Sequence, residues 1–221
     1  LGVITIDDVV EVVVEEANED ILKLSGTSGD DIESSKLIQG SIWYSLVHRL
    51  PWLLVTIIGG IIASMIMIAY SKTLNKSVIS LSFILSFVPL LMGLGGNIGN
   101  QSATILVRAM AINQIKESKQ ILTIIRELGI GFVIGSFMGL LVGAYVYLSA
   151  GHSIMAICIG LTIAINMSAA SLIGASLPVI FKALNIDPAV ASAPFISTAL
   201  DIIGQVIYFT IAIAMLNLAL W

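Results

Sequence analysis

Cysteine is nearly absent from this sequence. Cys158 stands alone, which excludes an intramolecular disulfide, and its apolar neighbours mark it as a small packed side chain rather than a reactive thiol. The redox compartment is left open by a single thiol. Histidine is scarce as well: His48 and His152 flank opposite ends of apolar runs, so no soft-metal ligand set can be assembled, and both read as interfacial side chains. Charge is the third scarcity. Only 11% of the 221 residues are charged, against 57% apolar and a mean hydropathy of +1.04, which excludes an ordinary soluble domain.

The few charges are unevenly placed. Ten of the fourteen acids lie between Asp7 and Glu33, giving residues 1–33 a net charge of −9 and the remainder +5. An acidic soluble head therefore precedes an apolar body. Leu1 to Ile6 (LGVITI) reads as a β-branched strand entered midway, followed by Asp7 and Asp8 as a helix N-cap pair. The absence of an initiating Met reads as the cut end of a larger protein. Val9 to Leu24 has Val9, Val12, Val13, Ala17, Ile21 and Leu24 at helical spacing, with Glu15, Glu16, Glu19 and Asp20 on the other side. Gly26 to Ser35 (GTSGDDIESS) reads as a polar linker, so residues 26–50 form a linker and pre-membrane segment.

Beyond Pro51 the apolar runs begin, and a spanning helix needs roughly 20 such residues. Five candidates follow: Trp52 to Tyr70, a long element from Val78 to about Met110 interrupted by glycines, Leu128 to Leu148, Ile154 to Phe181, and Pro194 to Trp221. The reading is an all-α membrane domain over residues 51–221. With the N-terminus in the cytoplasm, eight of the ten basic residues fall on that side and only Lys72 and Lys76 outside, and the odd span count then puts the C-terminus outside. The expected location is the cell inner (plasma) membrane, multi-pass, in contact with lipid, with no nucleic-acid partner.

Gly131, Gly135, Gly139 and Gly143 recur every four residues along the third span, and Gly160, Ala164 and Ser168 along the fourth. Small residues at this spacing let backbones approach closely, within one subunit or across a dimer seam.

Polar residues inside the membrane carry more information, because an ionisable group there must face a partner or water. Asp201 reads as the one carboxylate at membrane depth. It sits seven residues past Pro194, roughly 10 Å into the fifth span at 1.5 Å per residue. Ser197 and Gln205 lie four residues either side of it and Thr198 three before, so one helical stripe presents hydroxyl, carboxylate and amide. Asn166 in the fourth span reads equally as interhelical glue or as lining of an ion path.

The run from Pro89 to Gln101 (PLLMGLGGNIGNQ) places four glycines and three amides in an apolar element. It reads as unwound backbone lining a cavity, where carbonyls can help hold hydrated cations. No G-x-G-x-x-G register or Walker lysine accompanies the glycines, which excludes a nucleotide loop.

The stretch GLGGNIGNQSATILVR (Gly93 to Arg108), the run NIDPAVASAP (Asn185 to Pro194) and Asp201-Ile202-Ile203-Gly204 together resemble the MgtE magnesium channels. Residues 1–25 are similar to the end of that family's second CBS domain and its connecting helix. The resemblance implies a homodimer with five spans per subunit, a pore at the dimer axis, and cytosolic regulatory domains, absent from this fragment, that sense Mg²⁺. It implies Asp201 as the pore aspartate, Asn100 as the pore asparagine, and Gly93 and Gly96 as backbone-carbonyl positions. Two positions depart from the pattern: Ala193 stands where many members have asparagine, and Ser197 where they have a small apolar residue.

Mg²⁺ transport is thus the expected function, with Mg²⁺ as cargo and as a candidate regulatory ion, and no enzymatic activity. Hard oxygen ligands suit that ion, which is usually held through one or two carboxylates and several retained waters. A sodium-coupled magnesium exchanger is the alternative. An intramembrane aspartyl protease is a remote one, because it requires a second intramembrane carboxylate.

Overall fold

The computed structural model describes residues 5–26, 41–74, 81–112, 114–115, 119–190 and 193–219. Helix α1 spans Ile6–Leu24 and α2 Ile42–Leu74; the short α3 (Leu81–Leu85) leads into α4 (Val88–Ala111). Then come α5 (Gln120–Ala150), α6 (Ser153–Ala183), a 3-10 turn at Pro188–Val190, and α7 (Ala193–Ala219). Five of these helices are long and apolar enough to cross a membrane.

Helix α1 begins earlier than the acidic pair suggested. Thr5 is its cap: the Thr5 hydroxyl accepts the Asp8 N–H at 3.4 Å, while the Asp8 carboxylate accepts the Thr5 N–H at 2.8 Å. This reciprocal box explains why Asp7 and Asp8 fall inside the first turn. It also holds the Asp8 carboxyl below the usual carboxylate range, through the Thr5 side chain first and its backbone second. Ile6 is helical rather than extended and Thr5 is the extended cap residue; residues 1–4 of the proposed strand and most of the proposed linker lie outside the described residues.

The other end of α1 is moored to the membrane part. Lys23 Nζ donates to Asp187 Oδ2 at 2.7 Å and lies 2.7 Å from Glu19 Oε1. Gly26, at φ +80, brings the chain so close to Pro194 that a Cβ there would lie 2.5 Å from the proline ring. Partial burial works against both charges of the pair, but their mutual bond outweighs it, so the Lys23 ammonium is raised and the Asp187 carboxyl lowered from their ordinary values of 10.5 and 3.8. The Asp187 contribution is present above pH 3.8 and lost as the pH falls through the depressed value. The Lys23 contribution is present below pH 10.5 and lost as the pH rises through the raised one. The pair is half-exposed, so its removal costs about 0.5 kcal/mol. At neutral pH, K23M is expected to speed amide exchange across α1 about twofold, measured by mass spectrometry; an unchanged rate would show α1 undocked.

In the membrane part, α6 is the buried centre and α2 and α5 present long apolar flanks outward. Helix α2 runs straight through Pro51, so the first span starts before the apolar run proper. The second span is broken at Ser86 and Phe87, just ahead of Pro89, whose missing N–H suits a helix first turn. The glycine run itself is not unwound: α4 is continuous from Val88 to Ala111.

The cost of those helical glycines is offset by close approach. A Cβ at Gly174 of α6 would strike the Gly99 carbonyl of α4, and one at Gly95 would lie 3.0 Å from Asn166 Nδ2. The ladder on α5 has the same purpose. Gly131 faces Ser171 and Met167, Gly135 faces Ala164, Gly139 faces the Gly160 carbonyl, and Gly143 faces Ala156. The seam therefore lies within one subunit, between α5 and α6. Gly151, at φ +69, closes α5 in the left-handed conformation and allows α6 to return at once. On the far side Gly59 of α2 receives the Thr198 methyl of α7, and the Tyr208 hydroxyl of α7 donates to the Ile84 carbonyl of α3 at 2.7 Å.

Candidate ion-conduction site

Helices α4 and α7 run antiparallel, and their polar stripes meet. Asn100 Nδ2 donates to Ser197 Oγ at 3.1 Å, and Gln205 Nε2 approaches Met92 Sδ at 3.7 Å. These two contacts fix the register. Midway between them in sequence lie Gly96 on α4 and Asp201 on α7. The Ser197 hydroxyl is the neighbour of Gly96, 3.6 Å from where its Cβ would be. Asp201 is half-buried, and among the described residues no group hydrogen-bonds its carboxylate.

Among the described residues, two acceptors in this seam are buried without a partner, Asn100 Oδ1 and Gln205 Oε1. Buried amide oxygens normally find a donor or a cation-bound water, so the seam carries unused acceptor capacity on either side of Asp201. The outward face of α4 continues the polar surface: Asn97, Asn100, Gln101, Thr104 and Ile105 line an open cavity of about 450 Å³. Asn97, Gln101 and Thr104 are exposed on a span that also exposes Leu90 and Ile105 and, near its end, Arg108.

Gly93 is exposed, with nothing within 4 Å of its Cβ position, and it lies one turn from Gly96 on α4. Because α4 is helical, the carbonyls of Gly93 and Gly96 are engaged in the helix ladder and can offer only their second lone pair. The idea of fully freed carbonyls is corrected on that ground.

Asn166 goes elsewhere. It is 3% exposed, its Nδ2 donates to the Leu91 carbonyl at 3.1 Å, and it sits between Gly95 and Gly204, whose Cβ would lie 2.8 Å from Asn166 Oδ1. It fastens α4 to α6 and α7 behind the stripe rather than lining the cavity. Thr198 likewise faces α2, so Ser197 is the hydroxyl of the stripe that reaches α4. His48 turns Nδ1 to the Tyr44 carbonyl and His152 caps α6, at separate positions; among the described residues no His, Cys, Asp and Glu gather as a metal cluster.

One buried acid escapes a reading by hydropathy. Glu127 is 8% exposed and bonded to Ser102 of α4 and Ser171 of α6. Asp201 is therefore not the only carboxylate buried in the helical body. The signal was the ladder itself, since Glu127 stands one more step of four residues before Gly131 and shares its inward face.

Five helices long and apolar enough to cross a membrane, packed on one another, define the class of multi-pass membrane proteins. Within that class, residues 88–211 match a family described as "MgtE: Divalent cation transporter". The chain is 34% identical to the magnesium transporter MgtE of Thermus thermophilus over 212 residues, covering 96% of this chain and 45% of the relative. It is 30% identical over 217 residues to the magnesium transporter MgtE of Bacillus subtilis, covering 98% of the chain and 46% of the relative. It is 31% identical over 212 residues to that of Enterococcus faecalis, covering 96% and 45%. The chain belongs to the MgtE family, whose members are transporters and not enzymes. It spans a little under half the length of these curated relatives.

Proposed function

We propose that this chain is the membrane part of a magnesium transporter in which two subunits join along the polar face of α4 and the ion passes between them. The observation that carries this reading is the α4–α7 register, which sets Asn100 against Ser197 and Met92 against Gln205, with Asp201 between the two on α7. Exposed amides on a spanning helix are costly against lipid, so a second copy facing Asn97, Gln101 and Thr104 would exclude lipid from them and enclose water instead.

Two copies of Asp201 would then supply the one or two carboxylates that Mg²⁺ uses while retaining most of its waters. Asn100, Ser197 and Gln205 would accept hydrogen bonds from that water shell. Gly93 and Gly96 would keep the path wide at the same depth. Asn166 acts behind them, setting the spacing of α4, α6 and α7. Such a protein would sit in the plasma membrane with α1 in the cytoplasm. There the acidic side of α1 offers a binding surface for regulatory Mg²⁺, which the moored end at Asp187 and Pro194 would pass to α7.

N100L tests the polar wall. It removes the donor to Ser197 and places a branched apolar group in the cavity. Flux into proteoliposomes is expected to fall about tenfold, with detergent elution unchanged and melting lowered by about 4 °C at most. Normal flux in N100L would show that the α4 face does not line the path.

A further inference from the structure

Helix α5 is longer than a membrane core is thick. Its 31 residues extend about 46 Å at 1.5 Å per residue, against a hydrocarbon core of about 30 Å. Tyr145 and Tyr147, both exposed, mark one boundary near its C-terminal end, as interfacial aromatics do. Arg126 stands about 31 Å along the helix from Tyr147, which sets it at the opposite boundary, and Lys119, the N-cap, lies about 10 Å further out.

Lys119 and Arg126 are exposed and share one stripe of α5 with Leu122, Ile130, Val133 and Phe137, at steps of three and four residues. Two cations therefore head a track that is apolar from Ile130 onward. Among the described residues neither cation has a salt bridge, and Glu127, the acid beside Arg126 and the only one on α5, is buried and accepts from Ser102. A guanidinium exposed between Leu122 and Ile130 at the edge of the hydrocarbon must meet an anion or water, and its long stem lets it reach the headgroup layer.

We propose that this face of α5 is a binding surface for an anionic phospholipid of the leaflet on the side where α5 begins. Arg126 and Lys119 hold the negative headgroup, and the acyl chains lie along Ile130, Val133 and Phe137. The order of the groups selects this occupant. A soluble anion would use the two bases and leave the apolar track bare. A zwitterionic headgroup would bring its own cation to a face that offers it no exposed acid. The stripe lies off the glycine ladder that packs on α6, so the inference concerns a surface separate from the α4–α7 seam and does not depend on what passes there.

Native mass spectrometry of the detergent-solubilised protein, titrated with phosphatidylglycerol or with phosphatidylcholine of the same acyl chains, tests this without reference to transport. Wild type is expected to prefer phosphatidylglycerol. R126Q should bind that lipid about fivefold more weakly and K119Q/R126Q about 25-fold more weakly, since each base near an anionic surface contributes about fivefold. Phosphatidylcholine binding should be the same in all three proteins. K72Q, in the last turn of α2, changes the net charge as much as R126Q does and should bind both lipids like wild type. If the double variant does not fold, R126Q alone carries the test. Equal binding of the two lipids by wild type, undiminished phosphatidylglycerol binding in R126Q, or an equal loss in K72Q would overturn the proposal. Displacement of the lipid by excess inorganic phosphate would overturn it too, as the mark of a site for soluble anions.

Discussion

Replacing Asp201 by asparagine is expected to lower Mg²⁺ flux by about 10- to 100-fold, because each charge-assisted contact from the carboxylate to the ion's water shell is worth about 1.5–3 kcal/mol and every 1.4 kcal/mol is tenfold. The amide keeps the size of the side chain. Among the described residues Asp201 makes no hydrogen bond within the chain, so nothing in the packing of α7 depends on its charge. Melting temperature and oligomeric state should therefore stay at wild-type values while transport is lost. That split separates a role in the path from a role in the fold. Flux within twofold of wild type in D201N would remove Asp201 from the path.

Replacing Gly139 by valine is expected to do the reverse, damaging the fold first. A Cβ at Gly139 would meet the carbonyl of Gly160, and that neighbour is backbone, which cannot swing aside. The α5–α6 seam would have to open along its length, since Gly131, Gly135 and Gly143 hold the same close approach. Overpacking of this kind costs about 3 kcal/mol or more, equivalent to a drop in melting temperature of about 6 °C or more for a chain of this size. Gly60 on α2 is the control, with open space at its Cβ position; G60V should melt within about 2 °C of wild type. Equal melting of G139V and G60V would show that the glycine ladder carries no packing.

The spans and the site were legible to different degrees for physical reasons. Long apolar runs announce membrane helices, and all five appear. A four-residue glycine spacing announces close helix packing, and the partner helix α6 lies there in the same subunit. The stripe of Ser197, Asp201 and Gln205 was visible because positions four apart share a helix face. What a linear reading missed depends on partners distant in the chain. The glycines of α4 looked like a break because glycine is a poor helix former in isolation, yet Gly95 and Gly99 are helical because Asn166, Ala170 and Leu200 pack against them.

Asn166 could not be assigned between glue and path until Leu91, Gly95 and Gly204 were seen around it. Glu127 fell just outside the third span, read as Leu128 to Leu148, because charge ends a hydropathy window. Its burial is decided by Ser102 and Ser171, which lie 25 and 44 residues away in sequence.

The central claim is that Mg²⁺ passes along the α4–α7 stripe down its own gradient, with no coupled ion, and the most direct measurement is Mg²⁺ entry into liposomes carrying the protein, read by an internal Mg²⁺-sensitive dye with and without a sodium gradient. The account predicts saturable entry driven by the Mg²⁺ gradient and membrane potential alone, unchanged by sodium. Entry that appears only when a sodium gradient is imposed, or no entry above protein-free liposomes, would contradict it.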